Sequence, residues 1–172
     1  MKKILFVFFL ALTTGVSAQE INKHHMDETR LKEILLNVCT RAGITSFPEF
    51  KVSYDANYTA YKIDSTKVAL IKSIPQDYKI TMVLGTWCGD SKLQVPHLFK
   101  IFDNAGIKEE NIKIIAVNGV KQAENNLLEG LNIQRVPTII IKNKDGIEIG
   151  RIVERPTTTL ESDLLAILSP KI

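Results

Sequence analysis

The chain has 172 residues, with 22 Lys and Arg against 19 Asp and Glu and only two cysteines. That length suits one domain plus additions, the 45% hydrophobic and 24% charged fractions exclude disorder, and two cysteines exclude a disulfide-stapled mini-protein. Lys and Arg are scattered rather than gathered into a basic stripe, so no nucleic-acid role is expected despite a sequence pI of 8.8.

The chain opens with Lys2 and Lys3, an apolar run from Ile4 to Leu12, and small residues leading to Val16, Ser17 and Ala18. This is the order of a secretory signal peptide, and the apolar run is well short of the ~20 residues needed to cross a bilayer. Cleavage after Ala18 leaves Gln19 first, which offers no lipoprotein cysteine, so no stable membrane anchor is expected after cleavage. It takes the basic count from 22 to 20 against 19 acidic residues, a net +1. A periplasmic or secreted protein is the expectation, divided as signal peptide 1–18, N-terminal extension 19–76 and core domain 77–172.

In the extension, Leu31, Ile34, Leu35, Val38 and Ala42 fall at helical spacing. With Asp27 as N-cap and Gly43 as stop, they predict a helix over 27–42. Residues 50–54 alternate like a short strand, 55–61 read as a polar aromatic loop, and Asp64 caps a short helix ended by Pro75. His24 and His25 lack a third metal ligand at recognisable spacing and read as a surface pair. From Tyr78 the pattern becomes strands alternating with helices: a strand at 80–84, a helix over 90–104, a strand at 112–117 and a short helix at 123–128. A hairpin of 138–141 and 147–153 follows around the turn Asn143–Gly146. Thr158 and Glu161 form a capping box for a last helix that Pro170 stops. The fold class is α/β, a central mixed β-sheet with helices on both faces and an N-terminal helical extension.

Between the first core strand and its helix stands Gly85-Thr86-Trp87-Cys88-Gly89-Asp90-Ser91-Lys92, with Pro96 eight residues past Cys88. Pro137, 49 residues after Cys88, lies in Arg135-Val136-Pro137-Thr138-Ile139-Ile140-Ile141, followed by Asp145-Gly146 and a glycine-containing strand. These two segments resemble the active-site segment and the cis-proline segment of the thioredoxin family, and the resemblance covers roughly 78–168. It implies a thioredoxin fold in which Pro137 is cis and sits against the cysteine. Cys88 is then the nucleophile. A cysteine at a helix N-terminus is favoured as thiolate by the unpaired N–H groups and the helix dipole. Trp87, Gly89, Asp90, Val136 and Pro137 are expected to face the substrate, and Lys92 either adds positive potential or is a solvated helix lysine.

Three positions depart from the family pattern. Ser91 stands where the second cysteine of CxxC belongs, so a mixed disulfide on Cys88 would need an external thiol to resolve it, while the Ser91 hydroxyl could stabilise the thiolate. Asp90 replaces the usual proline, favouring the helix N-terminus but opposing negative charge on Cys88. Met82 replaces the family's buried aspartate. Cys39 reads as a core cysteine on the apolar side of the first helix, or as a resolving partner if within about 7 Å Cα to Cα. His97 lies about 13 Å along a straight helix from Cys88, too far for a general base. Tyr58 and Tyr61 could edge a pocket, though packing on the domain is the commoner case.

The function expected from this pattern is single-cysteine (CxxS) thiol–disulfide exchange with a thiol- or disulfide-bearing protein or a small thiol. No cofactor and no metal are called for. The alternative is a redox-inactive module that holds a peptide or partner protein in the cis-proline groove. A third reading, from the resemblance of Cys88-Gly89-Asp90-Ser91 to the CGFS signature of the iron–sulfur-binding monothiol glutaredoxins, is weaker, because Trp87, the Val-Pro-Thr segment and the export signal fit thioredoxins better.

Overall fold

The computed structural model describes residues 20–169, so the signal segment 1–18 and the stop at Pro170 lie outside the described residues. The elements run β1 (Lys23–Asp27), β2 (Lys32–Cys39), α1 (Arg41–Ser46), α2 (Pro48–Ala60), α3 (Ser65–Ser73), β3 (Tyr78–Leu84), α4 (Gly89–Ala105), β4 (Ile112–Ala116), β5 (Thr138–Asn143), β6 (Glu148–Val153) and α5 (Leu160–Leu168). Six strands form one mixed sheet in the order β1-β2-β4-β3-β5-β6, in which only β3 and β4 run parallel. The β3, α4 and β4 segments and the β5–β6 hairpin lie where the apolar pattern placed them. At the hairpin turn, Gly146 takes a positive φ of 78° and its N–H donates to the Asn143 carbonyl.

The extension is not purely helical. Where a helix over 27–42 is expected, the chain makes the β1–β2 hairpin. Asp27 does not cap a helix: its carboxylate accepts from Thr29 N at 2.9 Å and Thr29 Oγ1 at 2.6 Å to close the turn. Ile34, Leu35 and Leu36 are buried in succession on β2, and a short apolar run buried on both faces cannot be told from a helix by periodicity. Gly43 lies inside α1, where its N–H caps onto Thr40 Oγ1. The expected strand at 50–54 and loop at 55–61 are both α2. Phe50 and Tyr54, four residues apart, share its buried face while Val52 is exposed, so alternation along the sequence was one turn of helix.

The sheet's two faces are covered differently. Ile80, Met82 and Leu84 of β3, with Ile114, Ala116, Ile139 and Ile141, pack against all five helices in one core. On the other face Val83, Ile115, Val117 and Val136 lie under an irregular segment carrying Leu127, Leu128, Leu131 and Ile133. No helix forms at 123–128, because Asn125 and Asn126 hold φ of 53° and 55°, left-handed values that a right-handed helix cannot accommodate. At the last helix the cap is Thr159, whose Oγ1 accepts from Ser162 N at 3.1 Å, one residue later than expected.

Glu161 consequently turns inward. It is buried, and its carboxylate accepts from Tyr61 Oη at 3.0 Å and Asp64 N at 3.2 Å, tying α5 to the α2–α3 connection. His97 of α4 stacks on Tyr61 with ring centroids 4.0 Å apart. Glu161→Ala strands both donors and is expected to lower the unfolding free energy by about 2–3 kcal/mol, with Glu161→Gln losing less; urea titration measures both. Burial, aided by Lys100 and opposed by Glu161, holds His97 below the ordinary histidine range. The fold therefore prefers neutral His97. The stability so gained is present above the unfolded histidine value of about 6.5 and is lost as pH falls through the lower folded one. Urea midpoints should fall between pH 7.5 and 5.5, and His97→Gln should flatten that slope.

Candidate functional site

Strand β3 delivers the chain to Gly85, and a tight turn follows in which Cys88 N donates to the Gly85 carbonyl at 2.9 Å. Cys88 is the N-cap of α4, with extended φ and ψ of −84° and 128°, and Lys92 N donates to its carbonyl. On the neighbouring strand, Val83 pairs with Thr138, the first residue of β5. The Val136–Pro137 peptide just before it is cis, as the resemblance implied. This register sets the half-buried Cys88 Sγ 3.2 Å from the Val136 carbonyl oxygen, to which the thiol donates.

The remaining expected site residues surround this pair. Gly89 is exposed, and a Cβ there would meet nothing within 4 Å. Ser91 is fully buried, and its Oγ accepts from Gly85 N at 3.3 Å. It joins the turn to the helix, and no hydrogen bond connects it to Cys88 Sγ among the described residues. Asp90 is paired, its carboxylate accepting from Nε and Nη2 of Arg155, each at 3.1 Å. Pro137 and Val136 are buried, leaving backbone and the sulfur as what this part of the site offers. Met82 is completely buried in β3. Lys92 is largely covered and bonds to Glu49 of α2 at 3.2 Å, so it is neither free potential nor a solvated lysine. Burial would raise the Glu49 carboxyl, but Lys92 and Lys32 hold it below its ordinary range.

Trp87 is held on several sides. Its Nε1 donates to the Val117 carbonyl at 2.9 Å, its ring presses on Gly85 so closely that a Cβ there would lie 2.7 Å from the indole, and the Arg30 guanidinium lies 3.6 Å above it. The β1–β2 hairpin thus reaches the site. It is anchored there twice more: Thr86 Oγ1, fully buried, accepts from Leu35 N at 3.3 Å, and the Asp27 carboxylate accepts from Gly119 N. Burial alone would raise the Asp27 carboxyl, yet the hydrogen bonds from Thr29, Gly119 and Arg30 N–H groups and the Thr29 hydroxyl keep it low. Arg30, Asp27 and Thr86 were missed by sequence reasoning. The Asp27-x-Thr29 spacing, which suits an Asx-type turn, was the available signal.

Cys39 is a core residue on β2, not on a helix. Burial pushes its thiol up to about 12. It is level with Ile114 of β4, which is level with Met82 of β3. Two strand spacings put Cys39 about 9–10 Å from Met82, and Cys88 lies beyond the end of that strand, so a Cys39–Cys88 disulfide is out of reach without rearrangement. His97 is engaged with Tyr61, away from the sulfur, and Tyr58 and Tyr61 lie on or at the end of α2, bonding to Asp103 and Glu161. His24 pairs with Glu33 on the neighbouring strand. Among the described residues there is no cluster of His, Cys, Asp or Glu able to hold a metal, and no helix is long and apolar enough to cross a membrane.

Comparison with known proteins gives the family. No curated protein matches the chain. Among solved structures, a Pseudomonas aeruginosa protein of unknown function aligns with a TM-score of 0.58 at 17% identity, over 74% of this chain and 90% of that one. Trxlp from Edwardsiella tarda aligns at 20% identity over 63% and 96% with a TM-score of 0.39, and mitochondrial thioredoxin 3 from Saccharomyces cerevisiae at 24% over 59% and 86% with a TM-score of 0.33. The family model described as thioredoxin matches residues 48–164, from the start of α2 into α5. With well over half of its length matched, the chain belongs to the thioredoxin family.

Proposed function

We propose that this protein is an exported thiol–disulfide oxidoreductase that works through one thiol, Cys88. The observation that carries the reading is the half-buried Cys88 Sγ at the N-terminus of α4, 3.2 Å from the carbonyl of Val136 beside cis-Pro137. An extended substrate segment can lie along that backbone with its sulfur facing Cys88. The Cys88 thiolate attacks one sulfur of a substrate disulfide, forming a mixed disulfide and expelling the other sulfur as thiolate. A second, external thiolate then attacks the substrate sulfur, making a new disulfide with it and returning Cys88 as thiolate. Ser91 cannot perform that second attack. The Lys2 to Ala18 segment supports a periplasmic or secreted location, where disulfides persist.

A second reading has one observation in its favour: a fully buried Met82 where the family has a buried acid. A binding module holding a peptide or partner protein beside Pro137 would need no acid. Cys88→Ala separates the two, since a module keeps its partner affinity and an oxidoreductase loses all exchange.

Iodoacetamide is expected to modify Cys88 alone in the folded protein, with Cys39 reacting only after unfolding; equal labelling of both in mass spectra contradicts this reading. Ser91→Cys places a second thiol one helical turn from Cys88. Because an intramolecular attack has a large effective concentration, the steady-state level of mixed disulfide should drop about tenfold or more in this variant. An unchanged level removes the single-thiol explanation.

A further inference from the structure

We infer that Arg30, at the tip of the β1–β2 hairpin, is a specificity-determining residue that selects disulfides carrying a carboxylate near the sulfur; this deepens the Cys88 reading and depends on it. The other cations around the site are already matched. Arg155 is paired with Asp90, Arg135 with Glu154 and Lys92 with Glu49. Arg30 is different. It is exposed, its guanidinium carbon lies 3.6 Å from the centroid of the indole of Trp87, the residue preceding Cys88, and no carboxylate is within ion-pair distance of it among the described residues.

Its position is built rather than incidental. The Arg30 N–H donates to the Asp27 carbonyl at 3.2 Å, and the buried Asp27 carboxylate is occupied by Thr29 and by Gly119 N rather than by the guanidinium. Gly119 permits the hairpin to sit this close. A Cβ there would lie 2.4 Å from Thr29 Oγ1 and 2.8 Å from Arg30 Nε. Set over Trp87 and backed by this turn, the cation makes no side-chain hydrogen bond among the described residues and keeps its N–H groups for a carboxylate, which a guanidinium binds as a fork. Exchange passes through negatively charged sulfur, so an anionic disulfide is ordinarily repelled by an attacking thiolate. A cation held over Trp87, the residue before Cys88, offsets that repulsion.

The test measures mixed-disulfide formation on Cys88 by quenched-flow mass spectrometry with three small disulfides: anionic dithiodipropionate, neutral hydroxyethyl disulfide and cationic cystamine. A pair of disulfide peptides with Glu or Lys beside the cysteine is run alongside. Arg30→Gln keeps a planar group on Trp87 without the charge, and Arg30→Ala removes both. Both variants are expected to slow the anionic reaction about three- to tenfold at low ionic strength while leaving the neutral one unchanged, with the difference shrinking as salt is added. A charge preference confined to the small disulfides identifies a low-molecular-weight source for the carboxylate, and one confined to the peptides a polypeptide source. Equal effects on all three small disulfides, or no effect in either series, overturn the role of Arg30. Failure of wild type to react with the neutral disulfide overturns instead the Cys88 reading on which it depends.

Discussion

The site depends on one register. Val83 of β3 pairs with Thr138 of β5, so the C-terminal end of one central strand meets the N-terminal end of its antiparallel neighbour. Everything chemical follows from what stands just outside that pair: Cys88 on the turn leaving β3, and Val136–Pro137 on the chain entering β5. A one-residue slip would exchange the two faces of β5, sending Ile139 and Ile141 out of the helix-covered core and Ile140 into it, although all three are buried. The packing lost on both faces by that exchange, together with the β3–β5 ladder itself, is what holds the sulfur at its carbonyl. Core packing and site geometry are therefore the same constraint.

A second layer of restraint comes from the extension. α2 carries Glu49 and Asn57 to the first turns of α4, where they bond Lys92 by its ammonium and its carbonyl. The β1–β2 hairpin holds the turn before Cys88 through Thr86, Trp87 and Gly119. The residues before Tyr78 thus brace the Cys88 loop from two directions while sharing the main core through Phe50, Tyr54, Val68 and Ile71.

How much of this was legible in the sequence depended on the kind of signal. The core strands were readable because each is a continuous apolar run bounded by polar turns, and α4 because its apolar face is long. The site's central pair was readable from two short motifs 49 residues apart. The hairpin was not, because Ile34, Leu35 and Leu36 are buried together while Leu31, Ile34, Leu35, Val38 and Ala42 also satisfy helical spacing. α2 was lost for the reverse reason, as Phe50, Val52 and Tyr54 alternate although only the first and last face inward. The roles of Lys92, Asp90 and Ser91 depended on partners 43, 65 and 6 residues away in sequence, and no local pattern names Glu49, Arg155 or Gly85 as those partners.

Ser91 gives the site its character. A hydroxyl buried against Gly85 N keeps the turn and helix joined, but supplies no second sulfur, and Cys39 is strands away with its thiol held protonated by burial. On the proposed function, a site of this kind begins exchange and cannot finish it alone. The most direct measurement mixes reduced protein with a small neutral disulfide in the absence of any other thiol and follows thiol release. One equivalent per chain, released in a single phase and restarted only by added thiol, is the predicted result. No release, or release continuing past one equivalent without added thiol, would contradict a lone Cys88 nucleophile.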